Sequence, residues 1–128
     1  MRYLLDTHAL IWWLNDSKSL SAAARVAIDD GRNDIFVSAA SAWEVTTKHR
    51  KGTLDSAAGL LPDFSATVER NGLINLPITS THMVRSSLLQ GAHRDPFDRI
   101  LSAQAILANM VLITVDEKIS SFGVSTLW

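Results

Sequence analysis

Five short aliphatic runs, separated by stretches of helix length, restrict this chain to few architectures. They lie at residues 3–5, 34–37, 74–78, 111–115 and 124–127. Most lack the polar–apolar alternation of a strand with one wet face, so both faces of each are expected to be covered. Helices are expected over 8–15, 22–30, 39–51, 81–90 and 96–110, with a weaker pair inside 56–70, where Pro62 interrupts the pattern. Connections of this length carry a chain between parallel strands, and right-handed crossovers put helices on both faces. The expected fold class is α/β, a three-layer α/β/α sandwich around a central parallel sheet. Ser21, Ser38 and Ser80 stand where N-caps are needed, and Gly31, Gly52 and Gly72 stand just past helical runs. In the last long helix Ile100, Ala103, Leu107 and Met110 form a stripe suited to docking on the sheet.

The chain has 128 residues, the size of one domain. Its 12 Lys and Arg against 13 Asp and Glu give a formal net charge of -1, so a nucleic acid would have to be held by local patches. There is no cysteine, which excludes a disulfide scaffold, a thiolate zinc site and a cysteine nucleophile, and fits a reducing cytoplasm. The apolar tract at 103–113 is broken by Gln104 and Asn109 and falls short of the roughly 18 residues of a membrane span, so no membrane partner is expected. Residues 1–5 lead straight into Asp6, without the pattern of a secretory signal.

In an open parallel sheet, sites form beyond the carboxyl ends of the strands. Four acids are expected there. Asp6 follows the first strand and Asp116 the fourth, Glu44 lies about two turns into the helix after the second, and Asp98 opens the helix that feeds the fourth. Each also has a plain local reading. Asp6 and Asp116 are suitable N-caps; Ser41 and Glu44 have capping-box spacing; Asp95, Pro96 and Asp98 match cap, N1 and N3. Asp98 also lies off the Ile100 stripe, which by helical period alone leaves it solvated.

Convergence decides between the readings. Two carboxylates ~4 Å apart repel by about 4 kcal/mol at an effective dielectric of 20, so four together need a cation, a shared proton or an arginine. All-oxygen ligation suits Mg²⁺ or Mn²⁺, whereas zinc would recruit nitrogen or sulfur, which these four do not offer. An ion so held activates water and neutralises charge on a phosphoryl group, which fits phosphodiester hydrolysis. A HAD-type phosphatase would need a second Asp where His8 stands, a receiver domain an Asp where Thr79 follows the third strand, and no P-loop or G-x-G-x-x-G string is present.

In this order, Leu4-Leu5-Asp6-Thr7-His8, residues 38–45 with Trp43-Glu44-Val45, His93-Arg94-Asp95-Pro96-Phe97-Asp98-Arg99 leading to Ala103-Gln104-Ala105, and Thr114-Val115-Asp116 form a specific set. Over residues 3–128 the chain resembles PIN-domain proteins, specifically the VapC toxins of bacterial toxin–antitoxin pairs. The resemblance implies one PIN-like domain over 1–128, a Mg²⁺- or Mn²⁺-dependent endoribonuclease acting on RNA, a cognate VapB-like antitoxin and a homodimer. It implies Asp6, Glu44, Asp98 and Asp116 as the catalytic acids, with Asp6, Asp98 and Asp116 on the metal and Thr114 at the hydroxyl position. Asp95 is a natural cap that can also support or replace a ligand. Ile119 departs from the aromatic that relatives often carry after the final Asp, a place Phe122 can take.

Arg94 and Arg99 flank the acidic loop, placed to meet a phosphate or to pair with Asp95. Lys48, His49, Arg50 and Lys51 end a helix, where they complement its dipole or contact RNA phosphate. Four histidines, at 8, 49, 82 and 93, have no spacing that brings two together for acid–base cleavage. Trp12 and Trp13 point about 100° apart, so one is a candidate for a subunit or antitoxin interface or for partial burial within the monomer. Trp43 is expected to pack in the core rather than to stack on a base. Two rival readings remain: a catalytically silent module whose acidic pocket accepts a partner arginine, separable by Mn²⁺ calorimetry, and a nuclease acting on DNA, separable by comparing single-stranded substrates.

Overall fold

A computed structural model of the chain describes residues 1–52, 59–61, 63–91 and 93–128. In chain order the elements are β1 (Arg2–Leu5), α1 (Thr7–Leu14), α2 (Ala22–Asp29), β2 (Asp34–Ser38), α3 (Ala39–Arg50), α4 (Phe64–Arg70), β3 (Ile74–Leu76), α5 (Ser80–Leu88), α6 (Pro96–Ala108), β4 (Val111–Ile113), a 3₁₀ helix (Glu117–Phe122) and β5 (Thr126–Leu127). Of the weak helical pair expected inside 56–70, α4 is present; residues 56–58 and Pro62 lie outside the described residues.

All pairings are parallel and the strand order is β3-β2-β1-β4-β5, with Leu4 opposite both Phe36 and Leu112, and Leu5 opposite Val37 and Ile113. Adjacent residues point to opposite faces, so the unalternating runs fill two cores. Leu5, Ile35, Val37 and Ile113 meet α1, α2 and Val68 of α4 on one face. Leu4 and Leu112 meet Ala40 of α3, Leu101 and Ala105 of α6, and Ile119 on the other. Leu4, Leu5, Leu10, Leu112 and Ile113 are wholly buried, each contributing on the order of 1.5–3 kcal/mol of transfer free energy. This is the expected three-layer sandwich.

Element ends follow hydrogen bonding more than hydrophobicity. Ser21 and Ser38 cap α2 and α3, accepting from the backbone N–H groups of Ala24 and Ala40. Thr79, not Ser80, caps α5: its hydroxyl accepts from His82 N, and His82 Nδ1 accepts from Thr79 N. Gly52 and Gly72 adopt positive φ beyond α3 and α4, as a helix C-terminus favours. Asn109, at φ 54, ends α6. The stripe expected on α6 is rotated: Leu101 and Ala105 face the sheet core, and Leu107 is 41% exposed.

β1 is the central strand, and the chain steps outward from it through β2 and β3 before returning to its other side with β4. The order therefore reverses between β1 and β4. Such a switch point leaves a crevice at the carboxyl ends of the strands, and Asp6 and Thr114 are the residues that leave β1 and β4 there.

Candidate active site

Asp6 ends β1. Its backbone N–H still donates to Ile113 O of β4, at 3.1 Å, while its Oδ1 accepts from Ala9 N at 2.7 Å and caps α1. Cap and site are thus one carboxylate. The buried Thr114 hydroxyl bonds the Asp6 carboxylate and also accepts from Asp116 N at 3.1 Å, tying the two acids together. Asp116 in turn caps the 3₁₀ helix through Lys118 N, at 2.9 Å.

Glu44 is buried on α3. Because Ser38 caps that helix, the capping-box reading of Ser41 and Glu44 fails: Ser41 Oγ instead accepts from Thr7 Oγ1 at 3.0 Å, and Lys48 Nζ reaches Glu44 Oε2 at 2.6 Å from one turn on. The negative charge of Glu44 is felt by Asp6.

Asp98 sits in the first turn of α6, which Asp95 caps by accepting from Phe97 N and Asp98 N. Asp98 is not solvated as its helical position suggested, since its side chain is only 20% exposed. Its Oδ2 lies 2.7 Å from His93 Nε2, and the same nitrogen is 3.4 Å from Asp116 Oδ2. His93, Asp98 and Asp116 each offer a ligand atom within 4.8 Å of the others. Sequence reasoning passed over His93, because its position depends on a loop. It also held that no nitrogen donor accompanies the acids, and the structure supplies this one.

Charge couples Asp6 to Glu44 and Asp98 to Asp6, while among the described residues the side chains whose ligand atoms lie within 4.8 Å of one another are His93, Asp98 and Asp116. The energetic signature is in Asp98 and Asp6. Burial pushes the Asp98 carboxyl up to about 6, against the lowering contact with His93 and with the neighbouring charges of Asp95 and Asp6 adding to the rise. Burial likewise raises Asp6, partly offset by its bonds to Thr114 and Ala9 and by His8, with Glu44 adding to the rise. The hollow is a place where negative charge is costly and a cation is welcome.

The surroundings differ from the sequence expectations at Arg99 and Trp43. Arg99 is not turned to a phosphate or to Asp95. Its guanidinium donates to Ser86 O (3.1 Å), Leu89 O (2.6 Å) and His93 O (3.2 Å) and lies over the Phe122 ring, which also flanks His93. It clamps the loop that carries His93. Arg94 is exposed and lines, with His93, Lys118 and Ser121, a cleft of about 560 Å³. Trp43 is not in the core but 68% exposed, edge-on to Phe97. Trp12 and Trp13 are both half-buried within the monomer, one against Trp128 and the other donating to Asp29 Oδ1 at 2.8 Å.

A family model described as PIN domain matches residues 3–124. A curated relative named ribonuclease VapC22, from Mycobacterium tuberculosis, is 28% identical over 120 residues, 92% of this chain and 89% of that protein. Among solved structures, VapBC2 of Rickettsia felis bound to a promoter DNA fragment superposes with a TM-score of 0.70 at 16% identity, covering 99% of this chain and 98% of that one. VapBC-1 of nontypeable Haemophilus influenzae gives 0.68 at 20% identity, covering 99% and 97%. At these identities the two structures speak for the fold.

Proposed function

The chain belongs to the PIN-domain family, and we propose that it is a divalent-metal-dependent endoribonuclease, the toxin of a VapBC-type pair. The observation that carries this reading is the cluster of His93, Asp98 and Asp116, with Asp6 close enough to raise Asp98 and Glu44 close enough to raise Asp6. The curated ribonuclease relative supports the substrate class, and the VapBC structures support a VapB-like antitoxin as partner.

The donor set fits Mg²⁺ or Mn²⁺. Carboxylate oxygens dominate it, which suits these ions, while the His93 imidazole is the nitrogen donor whose absence had counted against zinc. In this reading Asp6, Asp98 and Asp116 hold the ion, and Glu44, kept in place by Lys48, completes the cluster. When bound, the ion supplies Lewis acidity toward a phosphoryl oxygen and a lowered pKa for water. The protein's own residues do the positioning. Thr114 orients Asp6 and the backbone of Asp116, the Asp95 cap fixes the first turn of α6, and the Arg99 clamp sets His93 beside Asp98. Arg94 and Lys118, exposed at the neighbouring cleft, are placed to take flanking RNA phosphates.

We place the protein as one PIN-like domain over residues 1–128, cytoplasmic in keeping with its lack of cysteine. Among the described residues no helix is long and apolar enough to cross a membrane. A homodimer belongs to the same reading; Val84 and Leu88 of α5 and Leu107 of α6, all exposed around one cleft, supply apolar surface for it.

The test is cleavage of RNA by purified protein with Mg²⁺ or Mn²⁺, its arrest by EDTA, and growth arrest on induced expression that Asp98→Asn relieves. Cutting that continues in EDTA, or arrest that survives the substitution, refutes the reading.

A further inference from the structure

Among the described residues, Trp43 is the one aromatic side chain that stands mostly in solvent, 68% exposed. Its place is specific. Trp43 immediately precedes Glu44 on α3, and Phe97 immediately precedes Asp98 on α6. Consecutive helix residues point about 100° apart, so each ring is directed away from the carboxylate that follows it in the chain and stands beside the acids rather than among them. There they meet, centroids 5.9 Å apart and planes at 78°. Phe97 is half-buried and braces the indole edge-on, an arrangement that fixes Trp43 without covering it.

The charge balance says what such a pair of rings is for. The chain carries a net charge of -1, so the phosphate backbone of RNA meets no global positive field here, only local cations such as Arg94 and Lys118. Stacking holds a nucleotide without charge, because every base has a π-face that an aromatic ring can cover. Bases within a duplex are already stacked, so the base that can reach an indole is an unpaired one.

We propose that Trp43, braced by Phe97, is a stacking platform that seats one unpaired RNA base next to the phosphate at the acidic hollow. The inference rests on the ribonuclease reading above and adds the residue that positions the RNA: a base contact at Trp43 that is indifferent to base identity. Trp43 is here a substrate-binding residue.

The experiment is fluorescence anisotropy of a labelled short single-stranded RNA, and of the same sequence as a duplex, titrated with wild type, Trp43→Ala and Trp43→Phe in EDTA. Melting curves confirm that each variant is folded. Trp43→Ala is expected to weaken single-strand binding about 5- to 150-fold, the range of one lost stacked base. Trp43→Phe is expected to keep most of the affinity, the duplex affinity to stay unchanged, and the loss to persist at high salt. The proposal is overturned by any of four results: no single-strand binding by wild type, equal affinity of Trp43→Ala, equal loss for the duplex, or altered oligomeric mass with unaltered RNA affinity. Adding Mn²⁺ to the same samples separates the two readings. Cleavage unaffected by Trp43→Ala sinks the platform and leaves the nuclease; a stacking loss with no cleavage in any sample sinks the nuclease and leaves the platform.

Discussion

His93 Nε2 lies 2.7 Å from Asp98 Oδ2, inside a hollow that keeps the Asp98 side chain four-fifths out of water. Burial outweighs that contact, and Asp98 holds its proton up to about 6 where its ordinary value is 3.8. Between these values the folded state binds a proton that the unfolded chain has released, so stability of the metal-free protein falls as pH rises through the window. The change is on the order of 2–3 kcal/mol, and Asp6, raised for the same reason, adds in the same direction. Thermal melts in EDTA should give a lower Tm near pH 7 than near pH 5, with Mn²⁺ restoring it at the higher pH. A Tm in EDTA that climbs from about pH 5 to 7 contradicts the site's electrostatics.

Asp6→Asn separates the two tasks of one side chain. Asn caps helices about as well as Asp and removes a buried charge, so the melting temperature should hold or rise. RNA cleavage should fall by at least ~100-fold, beyond the 10- to 100-fold typical of an outer partner. Equal activity in the folded variant would remove Asp6 from the site.

Thr114→Val keeps the volume and deletes a hydroxyl that serves both Asp6 and Asp116 N. Leaving the Asp6 carboxylate with one bond fewer and Asp116 N without this partner costs about 1–3 kcal/mol. Because Asp6 loses a lowering bond, Mn²⁺ affinity measured by calorimetry near pH 6 should drop more than it does near pH 8.

Arg99→Lys tests a clamp against a substrate contact. Lys cannot span the carbonyls of Ser86, Leu89 and His93 with one ammonium group, so a loss of about 2–3 kcal/mol is expected. Hydrogen exchange should quicken across residues 86–93 while KM for RNA changes less than kcat. A variant that alters KM alone, with exchange unchanged, would return Arg99 to the substrate.

The strand centres were legible because a strand covered on both faces must be continuously apolar, and Leu4, Leu5, Leu112 and Ile113 obey that rule. Strand ends were not. β3 stops at Leu76, before Pro77 with its missing N–H, and β4 stops at Ile113 although Val115 extends the apolar run. Asp6, Asp98 and Asp116 were legible as strand and helix termini and Glu44 by its place on the helix after β2, but burial was not: Asp98 looks solvated on its helix, yet His93 from the preceding loop lies 2.7 Å from it and leaves it 20% exposed. His93 was missed for the same reason: Arg99 and Phe122, not local spacing, put it there. Trp43 was misplaced because an apolar residue beside a buried one reads as core, and nothing in a one-dimensional pattern marks a ring that stays in solvent.

The place of β1 between β2 and β4 has a consequence for when the hollow exists at all. Asp6 is made well before Asp116, and the strand that brings them together, β4, follows β1 by more than a hundred residues. A chain still emerging from the ribosome can fold α1 and α2 against β1 and β2, but it has no acidic pit, because one wall has not been synthesised. In the proposed reading, a chain that stops before β4 lacks Thr114 and Asp116 and should not cut RNA.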